Sequence, residues 1–209
     1  MKKYINLIFI LLFLSAISGC KKYLDVIPDN IATIDNAFTM RSQAEKFLFT
    51  CYSYMPKNAD LGDDPALVGG DELWEIPERG AYLDMAKGFQ SVVGPLGDRW
   101  NTMYRALRDC NIFLENIVKV PDMQPYEKNK WIAEVKFLKA YYHFVLVKMN
   151  GPVPIIKNNL SVDANVNQVK VFRDPVDSCF SYIVQLIDEA TAALPVTIAN
   201  AAKEAGRIT

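Results

Sequence analysis

Histidine is nearly absent from this 209-residue chain, with His143 the only one, set between Tyr142 and Phe144. A lone imidazole needs partners to act as ligand or base, and the sequence identifies none, so a core histidine is expected. Gly-x-Ser-x-Gly, His-Glu-x-x-His and a phosphate-cradling glycine loop are all missing, which removes the common hydrolase, metalloprotease and nucleotide signatures. Carboxylates are plentiful, but a glycosidase pair is defined by separation in space. No basic stripe stands out among 23 basic and 24 acidic residues, so no nucleic-acid partner is implied. Cysteine is sparse. After Cys20 only Cys51, Cys110 and Cys179 remain, too widely spaced for a metal site, and no metal or cofactor is expected. Their odd number forbids full intramolecular pairing. All three fall on apolar helix faces, where they read as small buried hydrophobes. Strand signal is scarce, and no clean repeat period is present.

What the chain does contain is helix. Composition is ordinary for a globular protein, 51% hydrophobic and 22% charged. The organising stretch runs from Pro125, which suits a first helical position because its missing N–H costs nothing there. Ile132, Val135, Leu138, Tyr142, Val145 and Met149 recur at three- and four-residue steps along one face. Trp131, Phe137, Ala140, Tyr141, Phe144 and Val147 form a second row largely opposite. Apolar residues on two sides place a helix between neighbours rather than on a surface. A helix to Met149 would span roughly 37 Å. Asn150-Gly151-Pro152 ends it, and Val153-Pro154-Ile155-Ile156 leaves as an extended apolar strand.

Three further helices cover it. The first begins near Ser42, in a capping box with Glu45, and faces the core with Ala44, Phe47, Leu48, Cys51, Tyr52 and Met55. The next runs from about Asp98 to Val118 on Trp100, Met103, Tyr104, Leu107, Cys110, Leu114, Ile117 and Val118. The last starts with Asp174 as cap and Pro175 at the first position, then lines up Val176, Cys179, Phe180, Ile183, Ile187, Ala190 and Leu194. Long antiparallel helix pairs make the chain all-α, stacked as helical hairpins in the solenoid manner. Two long loops interrupt them, Lys57–Gly97 and Gly151–Arg173. A loop of about 40 residues in a compact domain is commonly functional.

The N-terminus has the three parts of a bacterial export signal: Lys2 and Lys3, the apolar run Leu7–Leu14, and small residues before Cys20. That run is short of the roughly 20 residues a membrane-spanning helix needs. Ile17-Ser18-Gly19-Cys20 resembles a lipobox, in which Cys20 is acylated and becomes the first mature residue. Acyl chains anchor a protein to a membrane without spanning it. Loss of residues 1–19 removes Lys2 and Lys3, leaving 21 basic against 24 acidic residues and a net charge of −3.

Several stretches together resemble the N-terminal part of the SusD/RagB family of Bacteroidetes surface lipoproteins. They are Cys20-Lys21-Lys22-Tyr23-Leu24-Asp25 with Pro28, Trp100-x3-Tyr104-x2-Leu107-x2-Cys110-Asn111, Ala133 to Tyr142, and Gly151-Pro152-Val153-Pro154. Arg173-Asp174-Pro175-Val176 and Gly206-Arg207-Ile208-Thr209 continue the series. Lys136 and Lys139 stand where arginine is common in the family. The resemblance implies a TPR-like helical scaffold with long irregular loops, anchored by lipid at the outer membrane and exposed at the cell surface. It implies a lid over a SusC-like, TonB-dependent transporter, and a chain truncated relative to the family. The domain expectation is a signal peptide over 1–19, a lipid-anchored tether over 20–40, and an incomplete helical domain over 41–209.

The loop Lys57–Gly97 is the candidate recognition site. It holds Trp74, Tyr82 and Phe89 among Asp71, Glu72, Arg79 and other charged residues. Aromatic faces bordered by carboxylates and arginine suit a sugar ring or a peptide. Trp74, Tyr82, Asp71, Glu72 and Arg79 are the expected ligand-binding residues, with Trp74 either a platform or a pin for the loop and Phe89 read as a pin. Three functions compete: a non-enzymatic nutrient-binding lipoprotein, oligosaccharide being the leading nutrient; a lipid-anchored adaptor that binds only proteins; and a surface-anchored hydrolase.

Overall fold

The computed structural model describes residues 34–57, 86–89, 91, 99–161, 163–198 and 200–209. The chain divides into residues 1–34 and the unit Asp35–Thr209, and the elements below belong to the second. They are α1 (Arg41–Ser53), α2 (Trp100–Asn116), α3 (Pro125–Asn150), a single turn α4 (Val166–Val169), α5 (Val176–Thr191) and a short α6 (Ala201–Glu204). Short 3₁₀ turns cover Asp35–Phe38 and Ile117–Lys119. Among the described residues there is no strand, only an isolated antiparallel bridge between Val153 and Asp174. The all-α expectation holds.

The 26-residue α3 is the centre of the unit. It packs against α5 and α2 most extensively and against α1 as well. Val135, Leu138, Tyr142 and Val145 from one row, and Trp131, Ala140 and Val147 from the other, are all buried. Two apolar faces on one helix therefore meet two sets of neighbours. Gly151 ends α3 at φ +69°, a left-handed conformation in which only glycine is unstrained. The core continues through Ala44, Leu48 and Cys51 of α1 and Met103, Leu107, Cys110 and Phe113 of α2. Residues 35–40, which the sequence reading leaves in the tether, pack with this unit: Phe38 is buried against Phe47 and Phe113.

Two local expectations fail for one reason, that a distant partner outbids a neighbour. The Ser42–Glu45 capping box does not form, because α1 starts at Arg41 with Met40 as its cap residue. The Arg41 backbone N–H instead donates to Asp122 Oδ1 at 2.6 Å, a cap supplied from another element. Glu45 accepts from the Arg41 guanidinium at 3.1 Å. Asp174 likewise does not cap α5, which begins at Val176 behind Pro175. Its carboxylate accepts from the Ile155 N–H at 2.8 Å, while its own N–H donates to the Val153 carbonyl at 3.1 Å. The expected apolar strand at Val153–Ile156 shrinks to that one bridge, since Pro154 has no N–H with which to extend a ladder. Val118 and Met55, and Val176, Phe180 and Ile187 of α5, all placed on apolar helix faces by spacing, are exposed.

No helix among the described residues is long and apolar enough to cross a membrane.

Candidate functional site

The loop named by the sequence reading springs from the end of α1 and returns at the start of α2. Trp74, Tyr82, Asp71, Glu72 and Arg79 lie outside the described residues, as does Cys20. The described residues that flank this segment in sequence are the end of α1 and the start of α2. At the outgoing end, the Tyr54 hydroxyl donates to Asp109 Oδ2 at 2.7 Å, tying the end of α1 to α2. Partial burial and the Asp109 carboxylate push the Tyr54 phenol up to about 12. At the returning end, Trp100 and Tyr104 pack as a tilted aromatic pair with centroids 4.9 Å apart.

Arg173 secures that pair. Its guanidinium lies 5.3 Å from the centre of the Trp100 ring, and one of its nitrogens donates to the Asn150 and Pro152 carbonyls at 3.1 and 3.0 Å. The Tyr104 hydroxyl donates to the Pro154 carbonyl at 2.9 Å. One arginine thus satisfies carbonyls at the end of α3 while stacking on the first residue of α2. Further along α2, Asn111 donates to Asn159, and Asn159 donates to the Arg108 carbonyl. Trp100 is half-buried and packed against the core, as its spacing indicates. With Arg173 over one face, it belongs to the scaffold more than to a ligand platform. Phe89 is the reverse: read as a pin, it is 67% exposed. Gly88 beside it has φ +78°, which turns the chain where a side chain would be strained.

A second polar cluster lies between α3 and α5. His143 is buried, with Nδ1 donating to the Lys139 carbonyl at 2.7 Å and the ring edge-on to Tyr182 at 5.2 Å. Nε2 has no hydrogen-bond partner among the described residues, so the expected core histidine is buried but only half satisfied. Burial pulls its pKa down to about 4. Lys139 is also buried, donates to the Lys157 carbonyl at 2.6 Å, and is lowered to about 8 by burial. Lys139 and Lys157 both lie near the Tyr182 ring, at 5.8 and 5.6 Å. Lys136, the other lysine in an arginine position, reaches Glu189 of α5 at 2.7 Å.

A third cluster closes the C-terminal segment onto the scaffold. Arg207 donates to both oxygens of the fully buried Glu134, at 2.7 and 3.1 Å. The Tyr52 hydroxyl donates to the same carboxylate at 2.7 Å and accepts the Ile208 N–H at 3.2 Å. Arg41 and Arg207 both lie near the Trp131 ring, at 5.1 and 5.6 Å. In sequence Glu134 and Arg207 stand in two separate motif stretches. Their pairing spans 73 positions, and no local signal carries it.

Comparison with known proteins adds to this geometry. A protein-family model of the SusD-like group, described as starch-binding associating with outer membrane, matches residues 22–205. A SusD-like protein of Formosa agariphila is 22% identical over 176 residues, covering 75% of this chain and 32% of that protein. Among solved structures, a SusD-like protein of Bacteroides fragilis superposes with a TM-score of 0.67 at 24% identity, over 87% of this chain and 34% of its own. A laminarin-binding SusD-like protein gives 0.69 at 22% identity, over 82% and 38%. The surface glycan-binding protein A of Bacteroides uniformis gives 0.64 at 18% identity, over 80% and 38%. The chain spans about a third of the length of the relatives it matches.

Proposed function

Because this chain belongs to the SusD-like family of starch-binding, outer-membrane-associated proteins, we propose that it is a non-enzymatic lipoprotein that captures oligosaccharides and hands them to a TonB-dependent, SusC-like transporter. The match of the family model over residues 22–205 carries the reading. Two solved neighbours whose names state glycan binding support it at the level of fold. In this reading residues 1–19 are an export signal, Cys20 carries the lipid, and the next residues tether the helical unit to the outer membrane at the cell surface. The loop between α1 and α2 supplies the ligand face, with Trp74 stacking on a sugar ring, Tyr82 as a weaker platform, and Asp71, Glu72 and Arg79 bonding its hydroxyls. The stem of Tyr54, Asp109, Trp100, Tyr104 and Arg173 holds that loop on rigid helices.

Titration of the purified protein with a panel of neutral oligosaccharides tests the reading. Saturable binding without any cleavage product is expected, with Trp74→Ala weakening it about thirtyfold, the cost of about 2 kcal/mol for one lost aromatic anchor, and leaving the helical circular dichroism unchanged. Trp100→Ala should disturb folding first, because that ring packs against the core. Turnover of a bound glycan would favour the surface-anchored hydrolase. Copurification with an outer-membrane barrel and no glycan binding would favour the protein-binding adaptor.

A further inference from the structure

The connection from α3 to α5 ends in a stretch, residues 165–173, in which every residue is exposed. Four of them are apolar, Val166, Val169, Val171 and Phe172, and the Phe172 ring is 84% exposed. Val166 and Val169 stand three residues apart on one side of the single turn α4. That turn is held by its own cap rather than by burial. Asn165 Oδ1 accepts from the Asn167 and Gln168 N–H groups at 3.0 and 3.2 Å, and Gln168 Oε1 accepts from the Asn165 N–H at 2.9 Å. The Val169 and Lys170 N–H groups donate to the Asn165 and Val166 carbonyls. The stretch is also fixed to the scaffold at its end, where Arg173 donates to the Asn150 and Pro152 carbonyls and the Asp174 N–H to the Val153 carbonyl.

We propose that residues 166–172 are a lipid-contact segment, whose Val166, Val169, Val171 and Phe172 side chains enter the interface of an anionic bilayer. Charge selects the surface. The stretch 165–173 contains Lys170 and Arg173 and no acidic residue, in a chain whose net charge is −1, so it favours anionic headgroups. Asp163 and Asp174 bound it, and the Asp174 carboxylate is turned to the Ile155 N–H. Hydrogen bonding permits the entry. The N–H groups of Asn165, Asn167, Gln168, Val169 and Lys170 are all satisfied within the segment, so leaving water strands none of these donors. Shape agrees as well. No residue of the stretch is buried, so it offers a partner protein no pocket, and a fluid lipid interface needs none, whereas a protein contact needs close complementarity. Seven residues are far too few to span a bilayer, so the contact is peripheral. The contact does not depend on glycan binding, and it is defined without the lipid proposed at Cys20.

The test uses the chain from residue 20 onward carrying Cys20→Ser, so that neither the export signal nor an acyl group binds lipid. It is sedimented with vesicles of phosphatidylcholine alone, with vesicles of equal phosphatidylcholine and phosphatidylglycerol, and without vesicles to subtract self-association. Binding to the anionic vesicles is expected, at least about tenfold tighter than to the neutral ones and weakened by salt. Phe172→Ser should lower it about tenfold or more with the melting temperature unchanged, because the ring is exposed. Lys170→Glu should remove the preference for anionic vesicles. Phe180→Glu with Val184→Lys, on the outer side of α5, should leave vesicle binding as it is. Equal binding by wild type and Phe172→Ser, or loss of binding in the α5 variant instead, overturns the proposal. So does a chain that sediments with neither vesicle. If that chain self-associates and Phe172→Ser abolishes the association, the segment is a contact between copies.

Discussion

At the scale of single residues, the buried polar groups decide most. Glu134 is fully buried and accepts three hydrogen bonds, two from Arg207 and one from Tyr52. Removing one partner of such a pair strands the other charge, so Glu134→Ala should cost about 3–5 kcal/mol in urea denaturation. The more exposed Lys136–Glu189 pair is the contrast, and Lys136→Ala should cost no more than about 1 kcal/mol. Equal losses would show that burial does not separate the two pairs. His143 sets a pH dependence. Its imidazole titrates near 6.5 when unfolded and near 4 when folded, so the folded chain binds fewer protons between those values. The stability it contributes is complete above pH 6.5 and is lost as pH falls to about 4, about 3 kcal/mol in all. His143→Phe, which keeps a ring beside Tyr182, should flatten the stability profile across that window relative to wild type. A difference between the two profiles that stays constant from pH 7 to pH 4 would refute the assignment.

At the scale of elements, the ends of helices matter more than their middles. α3 stops at Gly151, where φ is +69° and an added Cβ would meet nothing within 4 Å. Gly151→Ala should therefore cost backbone strain alone, about 1–3 kcal/mol, with no loss of helix content by circular dichroism. A neutral result would mean that the turn relaxes into another conformation. α1 takes its cap from Asp122, in the turn before α3. Asp122→Ala should cost about 1 kcal/mol, whereas Ser42→Ala should be nearly silent, because Ser42 lies inside the helix and is exposed.

At the scale of the whole molecule, α5 is the element left uncovered. Its inner side buries Cys179, Tyr182, Ile183, Leu186 and Ala190. Its outer side carries Val176, Phe180, Val184 and Ile187 down one stripe, with Phe180 44% and Val184 53% exposed. A helix apolar on both sides is built to lie between layers, as α3 does, and a stacked scaffold needs its outer helices covered. The purified chain should therefore self-associate at micromolar concentration, seen by sedimentation velocity. Phe180→Glu with Val184→Lys should suppress association without lowering the melting temperature. A monomeric wild-type chain would show that the stripe is harmless alone.

The pattern of residues by itself determined the helices and their apolar faces, because periodicity is a local property that burial rewards wherever the partner comes from. It placed Pro125 at the start of α3 and Gly151 at its end, and put Leu48, Met103, Leu107, Val135 and Leu138 inside. With its motif stretches it also carried the family. Tertiary structure decided the polar contacts. Asp122 outbid Ser42 for the end of α1, Asp174 turned to Ile155 rather than to its own helix, and Arg207 found Glu134 across 73 positions. Hydrogen bonds are short and directional, so their partners are set only once the helices have docked, whereas apolar burial asks only for a face. The candidate ligand residues Trp74, Tyr82, Asp71, Glu72 and Arg79 sit between these cases: their stretch of sequence carries no periodicity, so composition names residue types and only a fold can aim them.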